Sequence, residues 1–290
     1  MALRKLSPLI SKLEIERKFL PTLPLLHALT GTPVVQTLPF SILRGAENFI
    51  RDVYFDTPDG RLSTKGLWVR RRDLFVVGSD PSTSSSSWEA KVRVGGDFVA
   101  SQFVEVEGAG PVERELRRVL GAERVSVETL GQQLGVMCDL TARRVSGRVE
   151  LSAVDHSDAV AGLRQWQNLT VSIDQVVETA ADDFTAARAV LERMSYGRKS
   201  SHDIFFHEIG ELEVVGEVRT EAKATGEDRE ERQTHEHDMR RQAVGAACAT
   251  QLEAFMGVHP ALFPMTPPPR GKLVAYFAWK EEKTSHGVDG

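Results

Sequence analysis

Polar and apolar residues alternate with a period of two over Leu13–Leu20, Asn48–Phe55, Leu67–Arg72, Trp88–Val94, Phe103–Glu107, Arg144–Leu151, Leu169–Asp174, Gly210–Val218 and Lys272–Phe277. Successive side chains on a strand point to opposite faces, so this pattern predicts strands with one face buried. Stretches with a helical repeat fall between them. Pro111–Leu120 gathers Val112, Leu116, Val119 and Leu120 on one side. Asp182–Met194 opens with two acids, which suit a helix N-terminus, and repeats Phe184, Ala187, Val190, Leu191 and Met194. Asp238–Met256 carries an apolar stripe through Val244, Cys248, Leu252 and Phe255. Residues 78–87 (GSDPSTSSSS) read as a mobile loop and 220–237 as a solvated, charge-dominated segment. The prolines of 264–270 (PMTPPPR) make a stiff linker closed to helix and central strand. Residues after Lys280 read as a frayed tail. Many strands with a few helices predict an α+β fold with an antiparallel sheet.

The charged residues give that sheet an inside. In Leu13–Phe19 the alternation puts Glu14, Glu16 and Lys18 on one face and Ile15 and Phe19 on the other. Two carboxylates and an ammonium are costly against an apolar core. They suit a wet interior that holds a cation and an anion together. Trp68, Arg70 and Arg72 share one strand face, Glu89, Lys91 and Arg93 another, and Glu211 pairs with Glu213. Asp174 adds an acid at a strand end, and Lys272 heads an apolar run. Charges repeated at i, i+2 against aliphatics on the opposite face predict a sheet with its charged side turned inward and its apolar side under the helices.

Composition narrows the classes. The chain has 290 residues, 41% hydrophobic and 27% charged, with a formal net charge of −5, so no basic excess points to nucleic acid. Cys138 and Cys248 lie too far apart for a metal-spaced or redox pair, which implies free thiols in a reducing compartment. No apolar run reaches the length of a membrane span. Arg4, Lys5 and Lys12 in an acid-free opening raise mitochondrial import as an alternative to the expected cytoplasmic location.

Taken in order, these segments resemble the CYTH superfamily, the triphosphate tunnel metalloenzymes. Its Glu-x-Glu-x-Lys hallmark matches Glu14, Glu16 and Lys18, and its Tyr-x-Asp-Thr-Pro turn matches Tyr54-Phe55-Asp56-Thr57-Pro58. The Arg-rich strand, the Trp-Glu-x-Lys strand at Trp88, the Gly-Glu-x-Glu strand at Gly210 and a final Lys follow in the expected order. The resemblance implies a closed antiparallel β-barrel or tunnel of about eight strands with helices packed outside. It runs from Glu14 to about Lys280 and implies one domain over residues 1–290, with its core at about 13–280 and mobile insertions near 78–87, 175–209 and 220–237. Glu-Ile-Glu-Arg-Lys-Phe-Leu and Trp68 look most like the thiamine triphosphatase branch.

By this resemblance Lys18, Arg70, Arg72, Lys91, Arg143 and Lys272 grip a triphosphate, as arginine forks and lysine point charges do. Glu14, Glu16, Asp174, Glu211 and Glu213 hold one or two Mg²⁺, with Glu14, Glu16 and Lys18 in the catalytic set. The expected reaction is hydrolysis of the terminal phosphate of thiamine triphosphate by a monomer, with no nucleic-acid or membrane partner. Inorganic triphosphatase and non-catalytic binding of a polyphosphate or nucleotide are the alternatives. Trp68 either stacks on a cationic ring or plugs the tunnel mouth. Two departures stand out: Arg144 directly follows Arg143, so a one-residue slip decides which faces inward, and an added helix and loop separate Asp174 from Glu211. His235-Glu236-His237-Asp238 reads as a solvated helix flank rather than a zinc site. Arg198-Lys199 reads as surface charge, Gly95-Gly96-Asp97 as a hairpin turn, and Met137, Met194 and Met256 as core on helices.

Overall fold

A computed structural model of the chain describes residues 9–32, 38–79, 84–97, 99–121, 126–127, 134–151, 169–179, 183–194, 203–220 and 227–286. The strands are β1 (Leu9–Phe19), β2 (Ser41–Arg44), β3 (Asn48–Asp56), β4 (Leu67–Val76), β5 (Ser85–Gly96), β6 (Ala100–Glu107), β7 (Gly135–Glu150), β8 (Leu169–Glu178) and β9 (Phe206–Thr220). The helices are α1 (Leu23–Thr30), α2 (Arg61–Thr64), α3 (Ala109–Leu120), α4 (Phe184–Arg193), α5 (Glu227–Val258) and α6 (Lys272–His286).

Antiparallel pairing runs β7-β3-β4-β5-β6-β1-β9-β8, and β8 returns to β7, so eight strands close into a barrel. The ninth, β2, adds to the far end of β7 through Ser41–Arg44 opposite Gly147–Glu150. The fold is thus α+β, a closed eight-stranded barrel with six helices among the described residues.

The barrel strands send most of their aliphatics outward, where helices cover them. Leu13 and Ile15 of β1 and Leu212 and Val214 of β9 pack with Cys248, Leu252 and Phe255 of α5, all fully buried. At about 25 cal/mol per Å² of apolar surface, each such Leu or Phe stabilises the fold by about 1.5–3 kcal/mol. Val112 and Leu116 of α3 cover Leu67, Val69 and Ala90 in the same way. Gly210 sits opposite Phe19 in the β1–β9 ladder, where a Cβ would lie 2.2 Å from the ring, so only glycine lets the aromatic fold over the strand. That ring meets Phe263 edge-on at 5.0 Å.

Several expected elements differ from those observed. Lys272–Phe277, read as a strand, begins helix α6, which runs on through the expected tail to His286. The reason lies in closure: eight paired strands leave no gap in the barrel for another. The Leu-Val-Ala-Tyr-Phe-Ala run instead seats Tyr276 and Trp279 on Tyr54, Cys138, Leu140, Val176 and Phe205 at one mouth of the barrel. Tyr276 Oη donates to Glu178 Oε1 at 2.6 Å, and Lys280 Nζ lies 2.7 Å from the same carboxylate.

In the expected 175–209 insertion, Gln175–Glu178 extends β8 and Phe206–Ile209 opens β9, leaving α4 between them. Asp183 caps α4, its Oδ1 accepting from Ala186 N at 2.9 Å. Ser85–Ser87 of the expected mobile loop begin β5, and residues 80–83 lie outside the described residues. Glu227–His237 of the charged segment form the first turns of α5. β7 starts at Gly135 rather than at Arg144, which places Met137 on a strand. Among the described residues no helix is long and apolar enough to cross a membrane.

Candidate functional site

Pairing of β1 with both β6 and β9 fixes its register and turns Glu14, Glu16 and Lys18 into the barrel, where they are 1%, 4% and 7% exposed. Carboxylates so deep in the protein are stable only with charge partners. Glu16 pairs with Lys18. Glu14 Oε1 accepts from Lys91 Nζ of β5 at 2.5 Å, and Lys91 also lies 3.7 Å from Glu16.

In the ring order β4 lies across the barrel from β9, so arginines face glutamates. Arg70 donates to Glu89 from Nε at 2.9 Å and Nη2 at 2.7 Å, and from Nη1 to Tyr54 Oη at 3.2 Å. Arg72 forks onto Asp52 at 2.7 and 2.8 Å. The first residue of α6, Lys272, reaches in from the covered mouth, its Nζ 2.9 Å from Asp52. These side chains surround a cavity of about 220 Å³ lined on one side by Arg70, Arg72, Lys91, Arg144 and Lys272 and on the other by Glu14, Glu16, Glu211 and Glu213. Trp68, Phe103, Leu273 and Val274 add apolar wall, and Lys18, Arg93 and Glu105 also line it.

The ambiguity at the paired arginines is settled by register. Arg144 opposes Asp174 across the β7–β8 ladder and forks onto it at 2.6 and 2.6 Å, with Glu211 at 3.3 Å. Arg143 points the other way, to Glu47 at 2.6 Å, and does not line the cavity. The arginine that faces the cavity is therefore Arg144 and not the expected Arg143; period-two alternation allows one inward arginine of the two.

Every other expected site residue lies in or directly behind the cavity wall. Asp174 stands behind, 2% exposed, with both oxygens occupied by Arg144. Asp56 of the Asp-Thr-Pro turn is structural: its carboxylate accepts from Leu62 N at 2.9 Å and Ser63 N at 3.1 Å at the start of α2. Sequence reasoning overlooked Glu105, which lines the cavity 3.9 Å from Lys91, and Asp52, which stands behind the basic wall. The available signal for Asp52 was its spacing from Tyr54, which puts both on the inward face of β3 opposite Arg72 and Arg70.

Electrostatics divide the carboxylates. Burial pushes the Glu14 carboxyl well above its ordinary value, and Glu213 and Glu16 reinforce this against Lys91. Burial also raises Glu213, whose neighbours include Glu211 and Glu16. Glu16 moves the other way, because Lys18 and Lys91 outweigh its burial. Burial lowers Lys91, but Glu14 and Glu16 outweigh that and raise it.

The acidic wall matches a hard divalent cation in donor chemistry. Glu14 Oε2 is buried and accepts no hydrogen bond, and Glu14, Glu16 and Glu213 crowd one another. As the side chains stand, no three His, Cys, Asp or Glu among the described residues converge closely enough to hold a metal ion. The decoy sites behave as surface or core. His237 sits on α5 with Nε2 3.0 Å from Ser11 Oγ, and Asp97 closes the β5–β6 hairpin by accepting from Val99 N and Ala100 N. Arg198 and Lys199 lie outside the described residues.

No known family's sequence model matches the chain, and no curated protein matches its sequence. Solved structures resemble it distantly. The PH1819 protein of Pyrococcus horikoshii OT3 is 14% identical over 79% of this chain and 89% of its own, with a TM-score of 0.36. A Hippeastrum protein described as a candidate adenylyl cyclase with a dominant triphosphatase activity is 15% identical over 80% of this chain and 88% of its own, with a TM-score of 0.34. A candidate adenylate cyclase from Bacillus halodurans is 14% identical over 79% and 89%, with a TM-score of 0.29. Likeness at this level carries no argument; the fold stands on the strand pairing itself.

Proposed function

We propose that the protein hydrolyses the terminal phosphate of a small triphosphate inside the barrel, and that thiamine triphosphate is its preferred substrate. The observation that carries this reading is the cavity with a basic wall of Arg70, Arg72, Lys91, Arg144 and Lys272 facing the acidic wall of Glu14, Glu16, Glu211 and Glu213. Seven cations among the described residues, these five with Lys18 and Arg93, line one small cavity and suit a ligand with several negative charges, and a basic row alone would suffice for binding. The facing carboxylates add what hydrolysis needs.

Arginine forks orient the phosphate oxygens, while the lysines compensate charge without fixing direction. The barrel wall and α6 limit access of bulk water, which strengthens each of these interactions. Mg²⁺, held by Glu14, Glu16, Glu211 and Glu213, would supply charge neutralisation and an acidified water when bound. Asp174 would join them only by releasing Arg144. Burial raises the proton affinity of Glu14 and Glu213 in the metal-free protein, and a bound cation would oppose that rise. Trp68 offers a flat apolar face on the same cavity, suited to a cationic heteroaromatic ring.

The test is phosphate release from thiamine triphosphate, inorganic triphosphate and ATP by the wild type and Trp68→Ala. Cation–π contact contributes about 0.5–2 kcal/mol, so Trp68→Ala should raise KM for thiamine triphosphate by roughly threefold to thirtyfold and leave inorganic triphosphate unaffected. Equal losses on both substrates would make Trp68 a plug of the mouth. Preference of the wild type for inorganic triphosphate would remove thiamine and keep the hydrolysis.

A further inference from the structure

The basic wall is organised around a buried anion. Asp52 lies on β3, 1% exposed, and does not reach the cavity surface, whereas Arg70, Arg72 and Lys272 line it. Arg72 Nε and Nη2 each donate to an oxygen of Asp52, at 2.7 and 2.8 Å. Lys272 Nζ donates to Oδ2 at 2.9 Å, and Arg70 Nη1 stands 3.6 Å from the same oxygen. The three cations come from two elements, β4 and the first turn of α6, and Asp52 is where those elements meet electrostatically.

Without it, like charges this close repel, and long basic side chains spread over many rotamers. A carboxylate that takes a guanidinium in a fork fixes its plane as well as its position. Burial alone would raise the Asp52 carboxyl, but Arg70, Arg72 and Lys272 hold it well below its ordinary value, so it stays ionised.

We propose that Asp52 is a positioning residue that holds Arg72 and Lys272, beside an Arg70 forked onto Glu89, in the arrangement needed by the charge developing on the transferred phosphoryl group, without touching substrate. This rests on the triphosphate-hydrolase reading. Loss of the buried anion leaves the cavity one charge more positive, so attraction for a polyanion is kept or strengthened. What is lost is alignment, which matters most in the transition state. The effect therefore falls on kcat and not on KM.

The test is steady-state hydrolysis of inorganic triphosphate with Mg²⁺ by the wild type, Asp52→Asn, Lys272→Gln and the double variant. The expected result for Asp52→Asn is a fall in kcat of roughly tenfold to a hundredfold with KM unchanged or lower. The double variant should lose little more than the worse single variant, because both changes break one arrangement. A folded Asp52→Asn with kcat within about twofold of wild type would overturn the proposal, as would losses that simply multiply in the double variant. If Asp52→Asn does not fold, Asp52→Glu keeps the charge but shifts it; a fall in kcat at constant KM supports positioning, and a wild-type kcat overturns it. A wild type that turns over no triphosphate removes the hydrolase reading and this proposal together, whereas an active wild type with an unaffected Asp52→Asn removes this proposal alone.

Discussion

Glu213 shows how much the interior costs a single residue. Burial raises its carboxyl above the ordinary 4.5, with Glu211 and Glu16 adding to the shift against Lys91 and Arg144. The folded protein therefore binds this proton more tightly than the unfolded chain does. Stability falls as pH rises from about 4.5 through the raised folded value, and the loss persists above it. Glu213→Gln removes that penalty. In EDTA, its melting temperature should exceed that of wild type at pH 8 by about 2–4 °C per kcal/mol gained, with little difference at pH 4. Thermal unfolding at the two pH values checks this; a lower melting temperature at pH 8 would contradict it. The same repulsion is what a bound divalent cation would relieve.

Elements show where pattern reading works and where it stops. Glu14, Glu16 and Lys18 were legible because one strand carries them at i, i+2, and alternation admits one arrangement. Asp52 was not, since it has no charged partner at i, i+2 on β3, and its arginines stand beside it only once β3 pairs with β4. Lys272–Phe277 failed for a different reason. A short apolar run reads equally as strand or helix, and only the closure of the barrel decides that it caps a mouth. The arginine pair on β7 turns register into activity. Arg144→Ala strands Asp174 as a buried, unpaired charge and removes a cavity cation. It should lower turnover of a triphosphate by roughly a hundredfold or more. Arg143→Ala loses a partly exposed pair with Glu47, worth about 0–1 kcal/mol, on the side away from the cavity, and should keep near-normal kinetics. Comparable losses in both variants would contradict the observed register.

The whole molecule inverts the usual arrangement of a barrel. Large apolar clusters lie outside, beneath α3, α5 and the shorter helices, while a cluster of ionised residues lies inside, below the apolar residues that α6 covers at one mouth. Opposed rows of unlike charge make that interior tolerable, since each row neutralises the other across a narrow cavity. A polyanion with its counter-cation would replace those internal pairs, the anion taking the basic wall and the cation the acidic one. Charge alternation along the strands already implied an inward-facing charged surface. Which strands stand opposite each other came only from the pairing order.

The measurement closest to the central claim is phosphate release from thiamine triphosphate and inorganic triphosphate by the wild type and Glu16→Ala, in Mg²⁺ and in EDTA. The expected result is turnover by the wild type in Mg²⁺, lost by about a hundredfold or more in EDTA or on removal of Glu16. EDTA-insensitive turnover, or near-normal activity of a folded Glu16→Ala, would contradict the role given to the acidic wall. Tight binding of both triphosphates with no phosphate released by the wild type would contradict hydrolysis itself.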